Sequence, residues 1–403
     1  MKPHNRLWGG ILLVSGTTIG AAMLALPIST GAAGFFPSLA LLALYWTFMT
    51  FTAFLILEVN LWMDSGANLI SMARKTLGQW SAGVSWLLYL FLLYSLTTAY
   101  MAGCGSIVTE MIQSTTGLLL PAWVGSLPLF LIFGFFVYKG TKSVDYVNRL
   151  LMIGLAVTYI LMAIFLAPHV DLNLLRHTEW KYLLMGLSIV ATSFGFHIII
   201  PSLTTYFDRD IPRLKKAILV GSAIPLVVYI AWQLLTLGII PLEGIFQGYV
   251  KGDNSAHLLS ESLGNTALSS LAWGFSLFAI VTSFLGVSLS LSDFLADGFN
   301  IEKTRPGRIL LYLLTFVPPL LITLIDPRAF LSALEYAGAF GVVTLLGLLP
   351  ALMVWNGRYC KHFQSTFKAP GGKISLGLTI LFSVLVIAFE ISNKIGVINF
   401  LNP

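Results

Sequence analysis

Charge is what this chain has least of. Only 10% of its 403 residues are Asp, Glu, Lys or Arg, against 57% hydrophobic, and the mean hydropathy is +0.86. A soluble domain carries about 25% charged residues, so a water-soluble fold is excluded. Cysteine is nearly missing too. Cys104 and Cys360 are the only two, and they are expected at the outer half of the third apolar run and the inner end of the tenth. A disulfide needs Cα atoms within about 7 Å, so both are expected to be free thiols. Catalytic signatures are absent: no His-Glu-x-x-His, no Gly-x-Ser-x-Gly and no Gly-x-x-x-x-Gly-Lys-Ser/Thr occurs. These absences argue against a membrane enzyme and against ATP drive. Filter-like repeats and rings of charge, which a channel would show, are missing as well.

Long apolar runs are what the chain does have. A membrane helix needs about 20 mostly apolar residues, because only a closed backbone ladder satisfies its polar groups in hydrocarbon. Eleven runs qualify, at 7–30, 38–62, 83–111, 123–138, 150–167, 183–206, 217–240, 267–290, 309–325, 330–355 and 374–391. Pro121 and Pro128 shorten the fourth, for which a re-entrant segment is the alternative. The first is too long for a signal peptide's apolar core of about 7–15 residues and is expected to be retained. Loops are short, the longest running from 241 to 266, so the chain is one transmembrane domain over 1–403.

Orientation follows from the basic residues. With the N-terminus inside, the inner side carries Lys2, Arg6, Arg74, Lys75, Lys139, Lys142, Arg149, Arg209, Arg213, Lys215, Lys216, Lys303, Arg305, Arg308, Arg358, Lys361, Lys368 and Lys373. The outer side carries Arg176, Lys181, Lys251, Arg328 and Lys394. Lys and Arg concentrate in cytoplasmic loops, so the N-terminus is expected in the cytoplasm and the C-terminus outside. The net charge of +6 is accounted for by this topology, and no nucleic-acid partner is called for.

Two runs are interrupted where they should be most apolar. Gly16-Thr17-Thr18-Ile19-Gly20 lies in the first and Ser193-Phe194-Gly195-Phe196-His197 in the sixth, followed by Pro27 and Pro201. If spans one to five (7–167) repeat as spans six to ten (183–355), with 374–391 an extra helix, the first enters from inside and the sixth from outside. Their breaks then meet near the midplane. Paired broken helices are the sequence pointer to a transporter's solute site.

The residue types suggest what the breaks would hold. Glycine lets the backbone leave helical geometry, and free N–H groups where a helix resumes suit a carboxylate; Gly16 and Gly20, beside Ile19 and Ala21, are expected to supply that pocket. Free carbonyls before each break, with the hydroxyls of Thr17, Thr18 and Ser193, can accept bonds from an ammonium. The alternative is that the glycines only permit close helix packing. His197, the only histidine in any span, is a candidate for bonding a solute hydroxyl or taking up a proton; a neutral ring bonded to a freed carbonyl is the plainer reading. Phe194, Phe196, Tyr94 and Tyr336 are candidate ring contacts. Thr282 and Ser283 in the eighth span are candidates for a sodium ion, or for ordinary bonding to their own helix, and Asp293 is a further ion-coupling candidate. Glu58, Glu110, Asp297 and Glu390 are read as solvated or paired, and Asp145 with Arg149 as an ion pair.

These motifs carry a resemblance. Thr17-Thr18-Ile19-Gly20-Ala21, Ser193-Phe194-Gly195-Phe196-His197 with Pro201-Ser202, Gly221-Ser222-Ala223-Ile224-Pro225-Leu226-Val227, Trp232-Gln233, Thr282-Ser283-Phe284-Leu285-Gly286-Val287, Leu295-Ala296-Asp297, Pro318-Pro319 and Tyr336-Ala337-Gly338 are similar to those of the bacterial hydroxy and aromatic amino acid permeases. The likeness covers nearly the whole chain. It implies an all-α integral membrane protein of the amino acid, polyamine and organocation superfamily, with 11 transmembrane helices and a leucine-transporter-type 5+5 inverted repeat with broken helices 1 and 6. It further implies proton symport of an aromatic amino acid, tyrosine foremost, across the bacterial inner membrane, with no cofactor and no enzymatic activity. Sodium coupling, or a preference for tryptophan or phenylalanine, stands as the alternative. Ala22, where glycine is expected, and Ile198, where a small residue is more usual, depart from the pattern.

Overall fold

A computed structural model describes residues 3–64, 67–264, 266–326, 329–364 and 366–397. Lys2 and Arg328 of the charge pattern lie outside the described residues. The chain is 85% helical, with no strand among the described residues. Among the described residues ten helices are long and apolar enough to cross a membrane: Phe35–Leu61, Gln79–Thr116, Ala122–Lys139, Thr141–His169, Trp180–Tyr206, Ile211–Leu237, Ala267–Gly298, Arg305–Ile325, Ala329–Tyr359 and Gly372–Lys394. They correspond in order to the second through eleventh predicted runs, and the same ordinals are kept here. The first run is in pieces: an α-helix Pro3–Thr18, a tight turn Ala21–Leu24 and a short helix Leu26–Thr30.

The fourth run is a helix of 18 residues, roughly 27 Å at 1.5 Å per residue. It starts after Pro121, and past Pro128 it widens to π geometry over Leu129–Phe133. A longer π stretch, Ala337–Leu348, runs through the tenth span. Two segments read as loops contain helices. Leu69–Leu77 is started by Asn68, whose side chain and that of Ser71 cap each other's backbone N–H. Residues 241–264 fold into Leu242–Lys251 and Ser255–Leu263, with Asn254 capping the second and left-handed Gly252 and Gly264 ending each.

Burial separates central from peripheral spans. The most apolar window of the sixth is 67% buried and that of the tenth 72%, against 17% for the fifth and 28% for the fourth, ninth and eleventh. Lipid is as apolar as leucine, so an exposed apolar face is the normal state of a peripheral membrane helix. The broken first and sixth spans sit at the centre, among buried Trp232, Tyr229, Phe194, Phe196, Phe275 and Phe284.

Ion pairs fasten the two ends. At one end buried Glu58 is held by Arg358 (Nε to Oε1 2.7 Å) and by the N–H of Ala369 at 2.7 Å. Arg6 pairs with Asp208 at 3.0 Å, and Asp145 pairs with Arg149 at 2.9 Å. At the other end Glu335 accepts from Tyr249 at 2.8 Å and Lys394 at 2.6 Å, while Glu390 accepts from Ser188 at 2.6 Å. His257 of the short helix Ser255–Leu263 lies 2.7 Å from Glu110, which also accepts from the Trp273 indole. Cys104 and Cys360 are both free.

Candidate functional site

The first break is one extended residue wide. Gly20 takes φ −160°, ψ −165°, a conformation open to any residue, so what requires glycine here is space. A Cβ on Gly20 would come 2.6 Å from Ser283 Oγ, and that oxygen accepts the N–H of Ala21 at 3.0 Å. Ser283 thereby satisfies one of the amides the break has freed. Its neighbour Thr282 donates instead to the Phe278 carbonyl of its own helix at 2.7 Å. Gly16 is not at the break: it lies inside Pro3–Thr18, where its N–H belongs to the helical ladder, and a Cβ there would meet nothing within 4 Å.

The second break runs through Phe194, Gly195 and Phe196, between helix Leu187–Ser193 and the turn His197–Ile199. Both phenylalanine rings are fully buried. The hydroxyl protons of Thr17, Thr18 and Ser193 go to the carbonyls of Leu13, Val14 and Ile189 at 2.7, 2.7 and 2.9 Å. The backbone carbonyls that end the two half-helices do face a common point. Tyr229 Oη lies 2.7 Å from the Thr18 carbonyl oxygen and 2.9 Å from that of Ser193. Its ring is fully buried and packs edge-on against Phe194, with centroids 5.4 Å apart. Seventh and first spans approach this closely because Gly221 offers no side chain: a Cβ there would come 2.6 Å from the Cβ of Val14.

His197 is 2% exposed, and its Nε2 is 2.8 Å from Thr52 Oγ1. The Thr52 hydroxyl also lies 3.2 Å from the Met49 carbonyl; when its one proton is on that bond it accepts from the ring, and that tautomer carries its proton on Nε2 and has Nδ1 as an acceptor. Nδ1 is buried with no partner. His197 lines a cavity of about 360 Å³ that also touches Ile56, Tyr89, Pro201, Phe294 and Leu346 and opens among exposed Asn68, Thr205 and Asp297. That volume is at the low end of small-molecule sites, about 300–1,000 Å³.

Other sequence candidates lie elsewhere. Tyr94 gives its hydroxyl to the Leu314 carbonyl of the ninth span at 2.7 Å. Tyr336, 38% exposed, stacks on Phe340 and carries Lys394 over its ring. Asp293 is exposed at the cavity mouth and paired with Lys303 at 2.7 Å. Departing residues Ala22 and Ile198 are respectively buried and at the cavity wall. No group of three or more His, Cys, Asp or Glu placed to hold a metal occurs among the described residues. Tyr229, which joins the breaks, was not singled out by sequence; the small residue at Gly221 was the available signal for its close approach.

Comparison with known proteins gives the chain its relatives. The chain is 34% identical over 405 residues to a tryptophan-specific transport protein of Haemophilus influenzae, covering 97% of this chain and 96% of the relative. It is 35% identical over 409 residues to tyrosine-specific transport system 1 of the same organism, covering 98% and 99%. A tryptophan-specific transport protein of Pseudomonas aeruginosa is 36% identical over 392 residues, covering 94% and 92%. A family model matches residues 3–390, and the chain belongs to the tryptophan/tyrosine permease family, whose members are transport proteins rather than enzymes.

Proposed function

We propose that the protein is a secondary carrier that imports tyrosine with protons across the bacterial inner membrane, with its N-terminus in the cytoplasm and its C-terminus in the periplasm. The observation that carries this reading is the convergence of two broken helices on one buried point in a chain of this family. In this reading the broken first span is the eleventh crossing. Segments 7–167 and 183–355 form a leucine-transporter-type 5+5 inverted repeat, and 374–391 is an added helix. The solute's carboxylate lies by the amides around Gly20, its ammonium by the half-helix carbonyls, and its ring by Phe194, Phe196 and His197.

The partnerless Nδ1 of His197, an acceptor in the tautomer with its proton on Nε2, supports a ring that bears a donor. Tyrosine brings a hydroxyl and tryptophan an indole N–H, whereas phenylalanine would leave the buried nitrogen unpaired. Relatives named for tryptophan make that amino acid the second reading. For coupling, His197 and Asp293 are the protonatable candidates, and Thr282 with Ser283 the sodium alternative. Reconstituted vesicles should take up labelled tyrosine under an inward proton gradient, collapse with an uncoupler and ignore replacement of sodium by choline. A strict sodium requirement lost in Thr282→Ala with Ser283→Ala would reject proton coupling. Preferred uptake of tryptophan would move the assignment to the second reading, and preferred uptake of leucine would end the aromatic one.

A further inference from the structure

Tyr229 places one hydroxyl proton between two carbonyls. The oxygens of Thr18 and Ser193 each end a half-helix, so each carries the negative end of a helix dipole, and both lie within bonding distance of Tyr229 Oη. A phenol has one proton and two lone pairs. It serves one carbonyl at a time and leaves the other short of a donor. Far from water, that shortfall makes the point between the helix ends a site for something cationic with several N–H donors.

A primary ammonium has three, one more than the two carbonyls need. We propose that Tyr229 is a direct ligand of the solute's α-ammonium: its hydroxyl proton serves the two carbonyls by turns in the empty carrier, and its oxygen accepts the third N–H when the solute binds. This deepens, and rests on, the assignment of an α-amino acid to the breaks. The ring cannot swing aside, because it is fully buried against Phe194. Its height is fixed by the close packing at Gly221 against Val14, eight residues or about 12 Å down the same helix. The hydroxyls of Thr17, Thr18 and Ser193 are already spent as donors on their own helices, and Tyr229 is the side chain that reaches both breaks. The ligand class is therefore a primary α-amine.

The test separates a ligand from a structural prop. In reconstituted wild-type protein and in Tyr229→Phe, competition against labelled tyrosine is measured for tyrosine and for its des-amino analogue, 3-(4-hydroxyphenyl)propionate. Tyr229→Phe should weaken tyrosine about 10-fold or more, as for a lost hydrogen bond to a charged group, and leave the des-amino analogue within about 2-fold. Equal losses for both, or no loss for either, would overturn the proposal. Should Tyr229→Phe not fold, wild-type protein decides: N,N,N-trimethyltyrosine keeps the charge but has no N–H, and binding as strong as tyrosine's would refute the cradle. If tyrosine is not bound at all, the carrier's solute assignment fails instead, and the same comparison is made with whichever α-amino acid the vesicles accumulate.

Discussion

Gly20→Ala isolates one contact of the site. Because Gly20 is extended, alanine adopts its backbone without strain, and the whole effect falls on Ser283. The new Cβ would sit 2.6 Å from Ser283 Oγ, closer than carbon and oxygen pack, so the hydroxyl must rotate away from the Ala21 amide that it accepts at 3.0 Å. A buried N–H left without a partner costs about 1–3 kcal/mol. If that cost falls on the solute-binding form, the KM for tyrosine uptake rises about 5- to 150-fold. Ser283→Ala loses the same bond without the clash. In Gly20→Ala with Ser283→Ala the new Cβ would lie 3.8 Å from the Cβ of residue 283, an ordinary contact, so the double variant should match Ser283→Ala alone. Uptake kinetics in vesicles on all four proteins complete the cycle. Additive costs would show that the two positions do not meet in the working carrier, and the account of the first break would fall.

Other outcomes follow from the same structure. His197→Leu removes the free Nδ1 acceptor and should narrow the tyrosine-to-phenylalanine preference about tenfold or more; an unchanged ratio in competition assays would detach His197 from ring recognition. Burial alone would lower the His257 imidazole, yet the hydrogen bond and charge of Glu110, with Asp253 and Glu261 nearby, raise it above its ordinary value. A raised basic group stabilises the fold fully below about pH 6.5 and stops doing so as pH climbs through the raised value. The thermal midpoint should therefore fall above pH 6.5, and a His257→Gln profile as steep as wild type would contradict this. Lys215→Cys and Lys368→Cys should resist an impermeant thiol reagent added to intact cells while Asp253→Cys reacts, and the reverse pattern would invert the orientation. Glu58→Gln removes the carboxylate charge facing half-buried Arg358, which keeps the Ala369 carbonyl, and should destabilise the fold by about 1.5–3 kcal/mol, read as a lowered thermal midpoint.

The spans were legible because bilayer thickness dictates the length of an apolar run, and the ten helices among the described residues that are long and apolar enough to cross follow the predicted runs in order. The first run's break was legible in Gly20, although glycine there answers to the nearness of Ser283 rather than to backbone freedom. Gly16 misled because a glycine count cannot tell a break from the helix one turn before it. Thr282 and Ser283 looked equivalent in sequence. Neighbours on a helix point about 100° apart, and only Ser283 faces the break. Tyr229 was invisible because its role depends on the approach of two helices distant in sequence, as does the turn of Tyr94 toward the ninth span. The short helices Leu242–Lys251 and Ser255–Leu263 were missed since nine or ten residues of mixed character give no membrane-length signal, although Asn254, Gly252 and Gly264 mark their ends.

The two ends of the molecule are unlike, and this has a thermodynamic consequence. The cavity at His197 opens among Asn68, Thr205 and Asp297, while at the opposite end Tyr249 and Lys394 bond Glu335 and Ser188 bonds Glu390. If that network closes the far end, a solute arriving there meets a binding-competent form only in the fraction of molecules whose network has parted. Its apparent dissociation constant is the intrinsic one divided by that fraction, so its affinity falls however good the intrinsic contacts. Each hydrogen bond to a charged group is worth about 1.5–3 kcal/mol, so parting even one places the open fraction near a tenth or below. Two faces of the same carrier would then report different dissociation constants for one solute. The difference would measure the latch rather than the pocket.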